Sequence, residues 1–376
     1  MLIGFLVVAL SLYAAMHAYL YRLVARAFPL TLPARIALFL WFLLCIAMPF
    51  AGRILDHNGH AGLSRAINIP AYLWLAWSFW GCVAGGCLDL WNGVFRRWRL
   101  PPRAHLAVVT VLVALATFLG TLEASRPCIR RLDFTAKTFA TGSTPLRILH
   151  LSDIHLGTIR TSAWNRTLIR RVSELRPDLI LMTGDFIDSS ARNIGPLARA
   201  WADVQPPFGK YAVLGNHEFY AGLADALRLH DTAGFRLLRG SGVDIGDTLH
   251  LHGVDDVAGV FQGLPAETSE RGLLTVPPGR FTLLLKHQPR IDPLSVDRFD
   301  LQLSGHTHGG QIFPFRPIVA LFYPLTYGLF EISPRSRLSV SRGAGTWGPP
   351  LRLFAPPEIT LITLHPPAPP GLSRAD

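Results

Sequence analysis

Lysine is almost missing from this 376-residue chain: Lys137, Lys210 and Lys286 are the only three, so nearly all of its 36 basic residues are arginine. Acid is missing from the first third. Residues 1–127 hold Asp56, Asp89 and Glu123 against ten arginines, a net +7 of the whole chain's +11. The larger remainder carries only +4. That distribution argues against a nucleic-acid partner, whose phosphates call for a clustered basic footprint. Cysteine is scarce as well: Cys45, Cys82, Cys87 and Cys128 are all there are. None lies beyond 128, which excludes a disulfide framework or a thiolate zinc site there and leaves the redox compartment open. No charge precedes the first apolar run, so a retained helix is expected rather than a cleaved signal peptide, which opens on a basic stretch.

What the first third does have is apolar length. Apolar runs cover 2–20, 36–50, 69–91 and 106–122, with Asp89 the one charged residue among them. A helix needs about 20 apolar residues to cross a bilayer, so four spans are expected, the second completed by residues 32–34 or 51. Trp41, Trp74, Trp91 and Trp98 lie near segment ends, where interfacial anchors belong. A soluble helical bundle is the alternative, and four such runs rarely occur in one. Arg22, Arg26 and Arg35 follow the first run, and Arg96, Arg97, Arg99 and Arg103 follow the third. Only Arg53 and Arg65, with Asp56, separate the second from the third. The positive-inside rule then places the first and third loops in the cytoplasm and both termini outside it. The basic residues Arg126, Arg130, Arg131 and Lys137 pull the other way.

Beyond residue 145 the pattern changes. Short apolar runs at 146–151, 178–182, 211–214, 249–253, 281–286, 299–304 and 358–364 predict strands buried on both faces. Helical patterns fall at 164–175 and 220–230. Five polar blocks follow these runs in order: Asp153-Ile154-His155, Gly184-Asp185, Gly215-Asn216-His217-Glu218, Lys286-His287, and Gly305-His306-Thr307-His308-Gly309-Gly310. Carboxylate, imidazole and amide donors suit hard and borderline divalent metals. One Asp-x-His means little by itself. Five blocks, each at the end of an apolar run, mean much more.

The second block extends as Gly184-Asp185-Phe186-Ile187-Asp188, and the whole set resembles the calcineurin-like metallophosphoesterases over residues 146–364. The ending at 305–311 resembles a bacterial branch that is often membrane-attached. The resemblance implies an α/β fold, a four-layer αββα sandwich, here preceded by an all-α transmembrane region of about four helices. It implies two divalent ions (Mn, Fe or Zn, with Mn foremost). Asp153, His155 and His308 would hold one, Asn216, His287 and His306 the other, and Asp185 would bridge both. His217 would be catalytic rather than a ligand, stabilising the transition state or protonating the leaving oxygen. Glu218 and Asp188 would orient these groups or serve only as local structure.

The expected layout is a transmembrane region at 1–125, a linker at 126–145, the catalytic domain at 146–365 and a disordered tail at 366–376. The expected protein is a multi-pass protein of the bacterial inner membrane with its catalytic domain outside the cytoplasm. It would be a phosphoric ester hydrolase acting on a phosphate ester or pyrophosphate, with a lipid-linked substrate in view. A non-catalytic membrane scaffold or sensor, and a phosphodiesterase for nucleotides or nucleic acid, are the alternatives. Three secondary expectations complete the reading. His150, His250 and His252 are structural. Arg342 could contact a substrate phosphate. The apolar stretch 312–330, broken by Pro314, Pro317, Pro324 and Gly328, is either a core loop or an apolar lip beside the site.

Overall fold

A computed structural model describes residues 2–276 and 279–368. The chain divides into a helical unit over 1–122 and an α/β unit that begins at Glu123. Most of the expected disordered tail, residues 369–376, lies outside the described residues.

The helical unit consists of α1 (Leu2–Ala27), α2 (Leu32–His57), α3 (Ala61–Val94) and α4 (Pro102–Ala124). All four helices are long and apolar enough to cross a membrane. The second, short as an apolar run, extends over Leu32–His57, with Pro33 in its first turn, where a missing N–H costs nothing. The unit is inside-out by the standards of a soluble bundle. Phe39, Phe118 and Val111 are 59%, 62% and 64% exposed, whereas Asp56, Ser64 and Asn68 are buried. Apolar side chains turned outward and polar ones turned inward suit a lipid surround. Inside, Trp74 Nε1 donates to His17 Nε2 at 2.8 Å and Tyr19 Oη to Asp89 Oδ2 at 2.8 Å. The two arginine-rich connections meet at one end of the bundle: Arg26 pairs with Asp89 at 3.5 Å, and Arg103 Nε donates to the carbonyl of Ala27 at 3.3 Å.

The α/β unit runs β1 (Cys128–Thr135), β2 (Leu146–Leu151), α5 (Ser162–Glu174), β3 (Leu179–Thr183), α6 (Ala191–Arg199), β4 (Lys210–Val213), α7 (Asn216–Ala221), α8 (Leu223–Thr232), β5 (Arg236–Leu237), β6 (Ser241–Ile245), β7 (Leu249–Gly253), α9 (Ala258–Phe261), β8 (Phe281–Leu285), β9 (Leu301–Ser304), α10 (Arg316–Phe322), β10 (Gly328–Glu331), β11 (Arg337–Val340) and β12 (Glu358–His365). One six-stranded sheet has the order β1-β12-β2-β3-β4-β5 and the other β10-β11-β9-β8-β7-β6. Ile148, Leu181, Val213, Leu251, Leu283 and Leu303 pack between the sheets. Leu168, Val172, Ile194 and Leu229 from α5, α6 and α8 cover the first sheet's outer face. Over the second sheet lie a 3-10 turn, Arg271–Thr275, and loops, with Leu273 packed on Leu284 and Phe299.

The expected α/β architecture is present, with three differences from the sequence reading. The stretch 126–145, expected as a linker, contains β1, which pairs in parallel with β12 from Cys128–Glu358 to Thr135–His365. The single helix expected over 220–230 is two, because Gly222 at φ 109° breaks it. The stretch 312–330 holds α10 and part of β10.

Parallel pairing fixes where the site must be. Strands β2, β3 and β4 run parallel in one sheet, and β8 and β9 run parallel in the other. Their carboxyl ends carry the five polar blocks, which is where open α/β sheets place ligands.

Candidate metal centre

All eight side chains singled out by the sequence, seven candidate ligands and His217, come together. Three groups have donor atoms within 4.8 Å of one another: Asp153, His155 and His308; His155, Asp185 and His217; and Asp185, His287 and His306. His155 Nε2 lies 3.1 Å from His308 Nε2 and 3.7 Å from Asp185 Oδ2. On the other side, His287 Nε2 lies 3.1 Å from Asn216 Oδ1, 3.0 Å from His306 Nδ1 and 3.2 Å from Asp185 Oδ2. Asp185 therefore stands between the two halves.

The backbone makes this convergence possible. Asp153, His155, Asp185, His306 and His308 all have positive φ, from 51° to 70°. Non-glycine residues seldom adopt this left-handed conformation, and here it turns five donors into one cleft. Glycines clear the close approaches. A Cβ on Gly305 would fall 2.1 Å from Asp153 Oδ2, and one on Gly215 2.3 Å from Asp185 Oδ1.

Glu218 locks two of the ligand loops together. Its buried carboxylate accepts from the N–H groups of Gly215 (2.7 Å), Asp185 (2.9 Å), Phe186 (2.8 Å) and Ile187 (3.2 Å). It is the third residue of α7, and its bond to the Gly215 N–H reaches back to cap the helix's first turn. Burial pushes its pKa up to about 7, while four N–H donors favour the anion. Asp188 acts on a side chain instead, accepting from His217 Nδ1 at 2.6 Å.

Donor chemistry tests whether cations fit. His287 Nδ1 donates to the carbonyl of Thr183 at 2.7 Å, which aims Nε2 at the cluster; burial opposes a charge on this ring, but the Asp185 carboxylate outweighs it and holds the pKa well above the ordinary imidazole value. His306 Nε2 meets Tyr323 Oη at 2.9 Å, leaving Nδ1 for the cluster. These two nitrogens face the Asn216 amide oxygen and the Asp185 carboxylate. Such a set repels itself unless a cation or a proton sits among its members. Burial, with His217 beside it, pushes the pKa of His155 down to about 3, and burial, with His287, does the same for His306. Both imidazoles are thus in the neutral form that binds metal. The residues fit two divalent ions.

Two residues of this centre escaped the sequence reading. Arg352, fully buried, donates to the carbonyls of His308 (2.9 Å), Gly345 (2.6 Å) and Ala355 (3.2 Å), with Nη2 3.0 Å from His308 Nδ1. Tyr323 links His306 to Gln288 Oε1, to which it donates at 3.0 Å, and Gln288 Nε2 donates to Asp256 at 3.1 Å. No local pattern in the sequence marks either one. Other histidines remain structural, as expected: His150 bonds Thr183 Oγ1 at 2.8 Å, and His250 pairs with Asp244. Arg342 does not behave as a phosphate ligand. Its guanidinium pairs with buried Glu358 at 3.1 Å and stacks on Tyr327 at 4.2 Å.

The stretch at 312–330 is not a core loop. No residue of α10 is buried, and Leu321 and Phe322 are 79% and 69% exposed. The helix leads directly into Tyr323 and hence to His306.

Comparison with known proteins gives the family. The family model for calcineurin-like phosphoesterases matches residues 146–310. An uncharacterized metallophosphoesterase of Aquifex aeolicus is 41% identical over 224 residues, 59% of this chain and 85% of that protein. An uncharacterized metallophosphoesterase of Campylobacter jejuni is 38% identical over 270 residues, 71% of this chain and 70% of its own. A bovine transmembrane protein with a metallophosphoesterase domain is 30% identical over 314 residues, 78% of this chain and 68% of its own.

Proposed function

Because this chain belongs to the calcineurin-like phosphoesterase family, we propose that its centre holds two divalent metal ions and hydrolyses a phosphate ester or pyrophosphate bond of an amphiphilic substrate at a membrane surface. Phosphoester hydrolysis is the family's activity, and the four long apolar helices make the chain a membrane protein. Asp153, His155 and His308 would hold one ion, Asn216, His287 and His306 the other, and Asp185 both. Ions bound there would supply a nucleophilic hydroxide at neutral pH and neutralise the phosphoryl oxygens. N/O donors without thiolate suit Mn, Fe or Zn, with Mn our first choice. His217, oriented by Asp188, would serve the leaving oxygen through Nε2. The observation that carries this reading is the convergence of six donors, from Asp153, His155, Asn216, His287, His306 and His308, around the Asp185 carboxylate. A scaffold or sensor would have no use for the complete set, and the modest charge beyond residue 127 disfavours nucleic acid.

The amphiphilic substrate rests on α10. Its exposed apolar face begins one residue from Tyr323, and each methylene buried on binding contributes about 0.8 kcal/mol. Leu321→Ser and Phe322→Ser should each lower kcat/KM on a lipid-linked phosphate ester about 5–30-fold, given about 1–2 kcal/mol of lost apolar contact. A small chromogenic phosphodiester should be affected far less. Equal losses on both substrates would sink the lipid reading and leave the hydrolase reading intact.

We further propose that the catalytic unit faces outside the cytoplasm. The two arginine-rich connections lie at one end of the helical unit, and such ends stay cytoplasmic. The carboxyl end of α4 then lies on the opposite side. A reporter that works only outside the cytoplasm should be active when fused after residue 365. Activity there from a cytoplasm-only reporter would reverse the assignment.

A further inference from the structure

Resting on the hydrolase reading above, we infer that Arg160 binds a second phosphoryl group on the leaving side of the substrate, so that the site selects a diphosphate over a simple ester. Arg160 lies in the loop after the first ligand block. Its Nη2 donates to Thr346 Oγ1 at 2.5 Å, and its guanidinium stacks on Trp164 with Cζ 4.4 Å from the ring centroid. The Nε atom is buried without a hydrogen-bond partner, and no carboxylate pairs with the side chain among the described residues. The half-buried guanidinium thus carries a charge that no carboxylate of the described residues balances. Burial pushes its pKa down to about 10, and it stays cationic at neutral pH.

Two contacts fix which side of the centre it occupies. Thr346 lies between Gly345, whose N–H donates to the carbonyl of Asp153 at 2.8 Å, and Trp347, whose ring stands 6.0 Å from that of His217. On its other flank, Thr158 N–H donates to Ser189 Oγ at 3.0 Å, next to Asp188, the partner of His217. Both flanks lead to His217, the residue assigned to the leaving oxygen. Trp347 and Tyr220, each 54% exposed, stand against the His217 ring and wall the same side.

The chemistry follows from this placement. Hydrolysis forms one P–O bond to the water oxygen and breaks the bond to the leaving oxygen, which keeps the bonding pair. The water's protons pass to the product phosphates and the solvent. When the leaving oxygen belongs to a second phosphoryl group, the new charge spreads over that group. An arginine then matches it in both charge and bidentate geometry. A leaving alcohol gives Arg160 nothing to bind.

The test uses the full chain in detergent, loaded with Mn and freed of excess metal. Calorimetry compares methylenediphosphonate with methylphosphonate, and kinetics compares a disubstituted diphosphate with a small aryl phosphodiester. The wild type should bind the diphosphonate about 10–100-fold more tightly, the range for a charge-assisted contact. Arg160→Gln should erase that gap and raise KM for the diphosphate by a similar factor, well beyond its effect on the small ester. Arg160→Lys should recover part of the gap, and metal content should not change. No diphosphonate preference in the wild type, or a preference that survives Arg160→Gln, overturns the inference. Hydrolysis of neither substrate alongside an Arg160-dependent preference would defeat the hydrolase reading and leave the anion subsite standing.

Discussion

Asp185→Asn should reduce the metal content of the purified protein from two ions per chain to one or fewer. Activity should fall on the order of 10³-fold, the scale expected when a group acting on transition-state charge is lost. Among the described residues Asp185 is the carboxylate that reaches both halves, 3.7 Å from His155 Nε2 and 3.2 Å from His287 Nε2. Two cations held close together need a shared anion, and the amide keeps the shape while removing the charge. The substitution is also gentle on the fold. Asn tolerates the left-handed backbone of this position, where φ is 52°. Its amide oxygen can still accept from the His217 N–H, a bond of 2.9 Å in the native protein. Elemental analysis under metal-replete conditions provides the measurement. Two tightly bound ions in the Asn variant would show that some other group bridges the site.

His217→Ala should separate chemistry from metal binding. Turnover should drop about 10²–10⁴-fold, the usual range for a positioned acid–base group, while metal content stays near the wild-type level. The assignment is open to refutation because His155, Asp185 and His217 form one of the three close donor groups. Loss of an ion from the Ala variant would make His217 a ligand and remove its catalytic role. Because Asp188 is its 2.6 Å partner, Asp188→Asn should mimic part of the turnover defect, again with no loss of metal.

The parts legible in the sequence were those with a local signature. The apolar runs before each polar block became β2, β3, β4, β8 and β9, because strands buried on both faces must be apolar throughout. The polar blocks at their ends became the metal centre because short connections leave little freedom. Strand β1 was not legible. Its residues Cys128–Thr135 alternate between half-buried and exposed, as an edge strand's do, and three of them are charged. Arg352 was hidden for another reason. It lies in an irregular stretch rich in Pro and Gly, and its partners, the carbonyls of His308 and Gly345, are main-chain atoms that leave no trace in side-chain pattern. Tyr323 was noticed only as part of an apolar stretch, since its bond to His306 depends on how α10 docks. The left-handed residues were illegible too, because Asp and His carry no conformational label of the kind that Gly does.

Those left-handed residues set function against durability. Each non-glycine residue held at positive φ costs the native state about 1–2 kcal/mol, and five of the seven donors are held this way. The fold therefore gives up several kcal/mol, out of a typical total of about 5–15, to aim its donors. Selection for heat tolerance alone would drift toward Gly or Asn at 153, 155, 185, 306 and 308, relaxing the main chain and erasing the chemistry in the same steps. Ancestral or consensus stabilisation of this protein must therefore hold those five positions fixed and seek its gains elsewhere.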